Sequence, residues 1–317
     1  MAATVRNTPS RVSFIKPMLA TLVAEPFDKE GWLFEIKWDG YRAIAEMQKR
    51  LVRLYSRNQK SFVEDYPILV EALKHVKGPA VLDGEIVVVD EKGRPSFQLM
   101  QNYRCTGLGE LRYYVFDLLS YRGENFKRKP LWMRKQQLRK MLKEHKLLYY
   151  SDHVETQGVE YFKAASAMNM EGIIAKEANS YYEEGIRSKS WLKIKLQKVQ
   201  EAVIGGFTKP TGNRHRFGAL VLGYYQNGKL IYAGHTGGGF DEDELETVFH
   251  KLKPLIQKDC PFSTRPKTNT PATWVSPKLV CQVRFQEWTS DGRMRHPIFL
   301  GLRIDKAPTD VKREVPE

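Results

Sequence analysis

At 317 residues, 42% hydrophobic and 28% charged, the chain has the composition of a soluble globular protein and the length of two cores rather than one. Fifty-one Lys and Arg against 37 Asp and Glu leave a net charge of +14, which favours a polyanionic partner, most simply nucleic acid. Three cysteines, Cys105, Cys260 and Cys281, show no CxxC spacing and argue against a disulfide framework or zinc site, and no apolar run reaches the ~18 residues that cross a bilayer.

The first 24 residues carry Arg6, Arg11 and Lys16 without an acid, a faint likeness to a transit peptide. The preferred expectation is a disordered tail over 1–12, with the fold beginning near Phe14. Residues 33–38 alternate as a strand, with Leu33, Glu35 and Lys37 on one face and Phe34, Ile36 and Trp38 on the other. Asp39-Gly40 is a hairpin signal, so residues 41–46 read as the returning strand and Lys37 stands at a strand end beside the turn. From this stretch alone, a surface hairpin with an ornamental lysine is an equal reading. Residues 53–58 end a strand in a polar turn, and 61–67 lead into a helix to about Val76, closed by Gly78-Pro79. Residues 80–90 form an apolar strand holding Asp83 and Glu85, whose burial is costly without a partner or a cation. A turn acid beside Gly84 is the competing reading of Asp83.

Residues 113–119 form another buried strand whose aromatics are core by default. Over 131–146, Leu131, Leu138, Met141 and Leu142 recur at helical spacing among many cations, which predicts an amphipathic helix with a basic outer face. Residues 171–176 bracket a short strand with an acid and a lysine, and 191–195 put Lys193 and Lys195 on one face. Two such lysines repel unless an anion lies between them, or else they guard an exposed edge. After about Lys198 come short strands at 202–207, 219–225, 230–234 after Asn227-Gly228, and 280–285, with a helix from Asp241 to about Gln257. That string fits a small Greek-key barrel of the oligonucleotide-binding type, or a small sandwich. The stretch from about Ala307 reads as a loose tail.

Lys37, Arg57, Glu85, Phe116, Glu171, Lys193 and Lys195 all fall at ends or faces of these strands. A nucleophilic lysine must shed a proton against a free pKa of about 10.4. Neighbouring cations such as Lys193, Lys195 and a metal ion disfavour the ammonium form and stabilise charge gathering on an attacked phosphate. Glu85 and Glu171 offer hard oxygen ligands suited to magnesium.

These stretches resemble the covalent nucleotidyltransferases, which comprise ATP-dependent DNA ligases, RNA ligases and mRNA capping enzymes. Lys37-Trp38-Asp39-Gly40-Tyr41-Arg42 matches the KxDGxR signature, and Asp83-Gly84-Glu85, the Phe116 strand, residues 171–176 and residues 191–195 match later motifs in order. The likeness is greatest to the ligase domain of multifunctional bacterial end-joining DNA ligases. It continues through residues 218–223, Arg295-His296-Pro297 and residues 301–306, and covers about 14–306. The resemblance implies an α+β chain: an adenylation (nucleotidyltransferase) domain of mainly antiparallel sheets with helices over 13–198, a small OB-fold β-barrel over 199–306, and a tail over 307–317.

It also implies that Lys37 attacks the α-phosphate of ATP and carries AMP, with Lys193 and Lys195 on that phosphate. Glu35, Arg42, Arg57, Glu85, Phe116 and Lys176 would bind the nucleotide, Phe116 stacking on adenine and Glu35 beside the base. Glu85 and Glu171 would hold Mg2+ or Mn2+, and Arg303, Asp305 and Lys306 would orient the leaving pyrophosphate. The implied partners are nicked double-stranded DNA and an end-binding protein of the Ku type, for a monomer acting in the bacterial cytoplasm at the nucleoid and on no membrane.

Two departures stand out. Gln59 occupies a turn position where glycine is expected, which leaves the reach of Arg57 open, and Gly237-Gly238-Gly239-Phe240 carries an extra glycine in place of a threonine. No polymerase-like or phosphoesterase-like module accompanies the ligase unit, so a stand-alone enzyme and a piece of a longer one both fit. An RNA ligase or capping enzyme would share the lysine chemistry. An inactive nucleic-acid-binding protein is disfavoured by the intact Lys37, Glu85, Glu171, Lys193 and Lys195.

Overall fold

The computed structural model describes residues 14–48, 51–142, 146–210 and 215–316. The expected tail at 1–12 lies outside them. Among the described residues the strands form three sheets. The first runs Leu19–Leu22, Arg187–Lys195, Gly172–Glu177, Trp32–Ile36, His153–Glu155, antiparallel except for its first pair. The second runs Leu51–Ser56, Tyr41–Gln48, Ala80–Val89, Glu110–Tyr121, Glu124–Asn125, with Leu148–Tyr150 added parallel to Glu110–Tyr121. The third runs Lys229–Thr236, Leu220–Gln226, Val199–Thr208, Ala272–Arg284, Ile256–Gln257, and Ile298–Leu302 pairs with Ala272–Arg284. A bridge between Gly238 and Ile298 curls this last sheet toward closure.

The second sheet is buried on both faces, and its alternation sorts residues by destination. Tyr41, Ala43, Ala45, Leu82 and Tyr113 pack under the helices Pro67–Lys74, Phe97–Thr106 and Leu131–Leu142. Ile44, Tyr55 and Leu119 face the first sheet and meet Met18, Tyr182 and Trp191, with Phe116 packed against them. Arg42 and Asp83 join each other between these two sheets. A separate core built on Val203, Phe217, Leu220, Trp274 and Phe299 fills the third sheet.

The hairpin expected at Asp39-Gly40 does not form. Trp32–Ile36 pairs with Gly172–Glu177 and His153–Glu155, whereas Tyr41–Gln48 pairs with Leu51–Ser56 and Ala80–Val89, so residues 37–40 cross from one sheet to the other. Gly40 is required for proximity: a Cβ there would lie 2.1 Å from the Ile86 carbonyl oxygen. The true hairpin signal is Asn227-Gly228, with φ of 51° and 75° and Gln226 paired with Lys229.

Several elements differ from expectation for local reasons. The helix expected to follow the lead-in at 61–67 and to reach about Val76 starts at Pro67, a favoured first-turn residue, but ends earlier, at Lys74. The helix foreseen from Asp241 to Gln257 is capped by Asp241, whose side chain accepts from the Glu244 N–H, but ends at Leu252 before a 3-10 turn containing Pro254. Helix Leu131–Leu142 has no wholly basic outer face: Arg134 and Lys135 are buried, and Trp132 and Met133 are exposed. Nor is the stretch after Ala307 loose, because it forms a 3-10 turn at Pro308–Asp310 and buries Val311.

Candidate active site

Lys37 leaves the first sheet with its N–H donating to the Gly172 carbonyl at 2.9 Å, and its ammonium meets the Glu171 carboxylate. It lines a cavity of about 200 Å3 together with Arg42, Arg57, Glu85, Phe116, Glu171, Lys176, Lys193, Lys195, Arg303, Asp305 and Lys306. Residues from the first two sheets and the barrel thus converge, which strand spacing alone could not demonstrate. Glu35 does not line the cavity. It is buried beneath Lys176, accepting from Lys176 at 3.0 Å, Lys135 at 2.8 Å and the Ser151 hydroxyl at 3.2 Å.

That buried cluster sets its own charge state. Burial by itself would raise the Glu35 carboxyl, but Lys135 and Lys176 outweigh it and hold the carboxyl below its usual value. Burial brings Lys176 down to about 8 despite Glu35. The Lys176 ammonium lies 4.4 Å from the ring centres of both Phe116 and Trp191, beneath the aromatic wall of the cavity.

Arg42 is aimed by Asp83, which accepts from its Nε at 3.0 Å and its Nη2 at 2.6 Å, while the Tyr182 hydroxyl donates to Asp83 at 2.6 Å. The turn-acid reading of Asp83 is therefore replaced by a buried bidentate clamp. Opposite Arg42 in the strand register stands Glu85, raised to about 8 by burial despite Lys37, Arg303 and Arg42. Burial and the Glu171 charge likewise raise Asp39 to about 6.

The barrel closes the other side. Arg303 is held by Asp305 through two bonds of 2.9 Å and donates to the Gln282 side-chain oxygen at 2.6 Å. The Asp305 carboxylate is thereby committed to aiming Arg303. Lys306 pairs with Glu201 at 2.8 Å, and the Asn58 side chain donates to the Asp305 carbonyl at 3.1 Å, tying the second sheet to the barrel. Gln59 adopts φ 67°, so the turn expected of glycine is kept and Arg57 lines the cavity. Between Lys193 and Lys195 lies the Glu314 carboxylate, bonded to Lys193 and 2.9 Å from the Lys195 ammonium.

Among the described residues, no group of three or more His, Cys, Asp or Glu could hold a metal ion. Glu85 and Glu171 nevertheless line one cavity. Two carboxylates fit magnesium, which completes its shell with water and substrate phosphate oxygens. Sequence reasoning missed Asp83 as a clamp, Tyr182, Trp191 as an aromatic wall, Lys135, Glu201, Gln282 and Glu314. For Asp83 the available signal was an acid inside an apolar strand; for Gln282 it was an amide in the run 280–285.

Residues 17–195 match the family model described as ATP dependent DNA ligase domain, and residues 213–306 match ATP dependent DNA ligase C terminal region. The chain belongs to the ATP-dependent DNA ligase family, with an adenylation (nucleotidyltransferase) fold followed by an OB-fold barrel. It is 36% identical over 312 residues to the multifunctional non-homologous end joining protein LigD of Pseudomonas aeruginosa, covering 96% of this chain and 37% of that protein. With the protein of the same name from Mycolicibacterium smegmatis it shares 38% identity, over 93% of this chain and 39% of that one. The chain thus spans under half the length of these relatives. In structure it is similar to a mycobacterial DNA ligase D complexed with ATP and MES, with a TM-score of 0.66, 35% identity and coverage of 93% and 98% of the two chains. No helix among the described residues is long and apolar enough to cross a membrane.

Proposed function

We propose that the protein is an ATP-dependent DNA ligase that seals 5′-phosphate/3′-hydroxyl nicks through a lysyl-AMP intermediate. The observation that carries this reading is the convergence of Lys37, Lys193, Lys195, Arg303 and Lys306 with Glu85 and the Phe116–Trp191 wall in one cavity. In the first step, Lys37 Nζ attacks the α-phosphorus of ATP; the P–N bond forms, the bond to pyrophosphate breaks, and the lysine gives up a proton. Lys193 and Lys195 neutralise charge on the α-phosphate, while Arg303 and Lys306 draw the leaving pyrophosphate in line. Phe116 and Trp191 take the adenine, and Glu85 and Arg42 take the ribose side. Glu85 and Glu171 would hold Mg2+ or Mn2+, which supplies further charge neutralisation at the phosphates.

The DNA 5′-phosphate then attacks the adenylate and breaks the P–N bond, which returns the proton to Lys37. The 3′-hydroxyl finally displaces AMP and closes the strand. In this reading the adenylation domain spans 13–198 and the barrel 199–306. The relatives named for non-homologous end joining support a repair role; in this reading the protein acts as a bacterial cytoplasmic monomer at the nucleoid, recruited by a Ku-type end-binding protein.

The test is incubation with ATP or GTP labelled at the α-phosphate plus magnesium or manganese, then nicked DNA. Label enters the wild type from ATP and not GTP, it is absent from Lys37→Ala, and the loaded protein seals the nick. A folded wild type that takes no label would sink the reading, and transfer from GTP would point to capping.

A further inference from the structure

The two lysines that ought to meet a phosphate already hold an anion from their own chain. The Glu314 carboxylate bridges Lys193 and Lys195, side chains that are only 13% and 12% exposed. Burial by itself would raise Glu314, yet Lys195 and Lys193 outweigh it and hold the carboxyl at about 2, so it remains ionised. The backbone is seated as well. The Glu314 N–H donates to the Gln200 side-chain oxygen at 2.9 Å, Val311 is buried, and the Tyr225 N–H donates to the Val311 carbonyl at 2.8 Å.

The position of this carboxylate matters for space. With it in place the cavity at Lys37 measures about 200 Å3, below the ~300–1,000 Å3 common for small-molecule sites. Glu314 also lines a second cavity of about 570 Å3, whose wall carries Lys16, Arg187, Lys306 and Lys312. Lys193 belongs to both cavities, so the Glu314 segment stands between an undersized nucleotide pocket and a cationic chamber beside it.

We propose that residues 308–316 form a strap whose Glu314 carboxylate occupies the α-phosphate position between Lys193 and Lys195, and that an incoming polyphosphate displaces it. This rests on the nucleotide reading of the cavity given above. ATP loading and strap docking are mutually exclusive, so the resting protein is held back from nucleotide by its own chain. Once displaced, the strap merges the two cavities and opens the cationic chamber to the rest of the triphosphate.

Two measurements on the full chain test this. Sodium tripolyphosphate, which cannot adenylylate Lys37, is added to the wild type while hydrogen exchange is followed over residues 308–316. Exchange at the Glu314 amide rises about tenfold or more at saturation. In parallel, Glu314→Gln lowers the KM for ATP in lysyl-AMP formation by about three- to tenfold, because the competing docked state is weakened. Removing a negative charge would by itself strengthen anion binding, so the exchange result decides. Unchanged exchange overturns the strap even if KM falls, and an unchanged or higher KM in a folded Glu314→Gln protein overturns it as well. Should that variant unfold, the wild-type exchange measurement decides alone. A wild type that forms no adduct but whose strap opens with tripolyphosphate refutes the ligase reading and leaves the strap standing.

Discussion

Glu85 holds a carboxyl that burial has raised to about 8, far above the value it has in an unfolded chain. Between those two values the folded protein binds a proton that the unfolded chain has lost. Stability therefore falls as pH climbs from about 4.5 toward 8 and levels off above. Asp39, raised to about 6, acts in the same direction over a narrower window. Lys176 and Lys193, lowered to about 8, act in the opposite sense only above that pH. Glu85→Gln should flatten the decline in the thermal midpoint of the nucleotide-free protein between pH 5 and 8; curves parallel to wild type would remove Glu85 as its source. At this scale the sequence was legible for Lys37, Glu85, Lys193 and Lys195, because a charge in an apolar or alternating strand demands a partner. It was opaque for the partners themselves, since Glu314 lies 121 residues from Lys193 and Glu35 lies 100 from Lys135.

Among elements, the crossing over residues 37–40 is the one the proposed chemistry depends on most. It hands the chain from one sheet to another and presents Lys37 at the seam. Gly40→Ala would drive a Cβ into the Ile86 carbonyl, a backbone atom that cannot swing aside. A loss of about 1–3 kcal/mol in urea denaturation follows, along with reduced adenylate formation by the folded fraction. Wild-type stability in this variant would show that the seam can relax. Asp39-Gly40 misled as a hairpin because a local dipeptide cannot report which sheets will bury its flanking strands. Helix Leu131–Leu142 misled differently: Arg134 and Lys135 share helical spacing with Leu131, Leu138 and Leu142, and charge alone sent them outward. Arg134 instead meets Asp117 through bonds of 2.7 and 2.9 Å, and both side chains are buried. In the third sheet the expected strands at 202–207, 219–225, 230–234 and 280–285 overlap observed ones and Asn227-Gly228 marks their turn, whereas Ile256–Gln257 falls where a helix is expected, and Ile298–Leu302 and the first half of Ala272–Arg284 are not expected.

For the whole molecule, the net charge of +14 is the widest statement the composition makes. Binding to nicked duplex should weaken steeply with salt, with a log–log slope of about −0.9 for each phosphate neutralised. A flat response in a filter-binding or anisotropy titration would separate the charge from DNA binding.

Two of the six tryptophans, Trp38 and Trp191, line the cavity at Lys37. Trp38 stacks on Tyr114 with ring centres 3.5 Å apart and donates its indole N–H to the Ser151 hydroxyl that also serves Glu35. Trp191 lies over the Lys176 ammonium, its ring centre 4.4 Å from it. Both indoles thus sit in the field of the same charges that a triphosphate would rearrange. If the cavity takes a nucleotide as proposed, its occupancy should therefore register in the near-ultraviolet signal of these two indoles, without a dye or a tag.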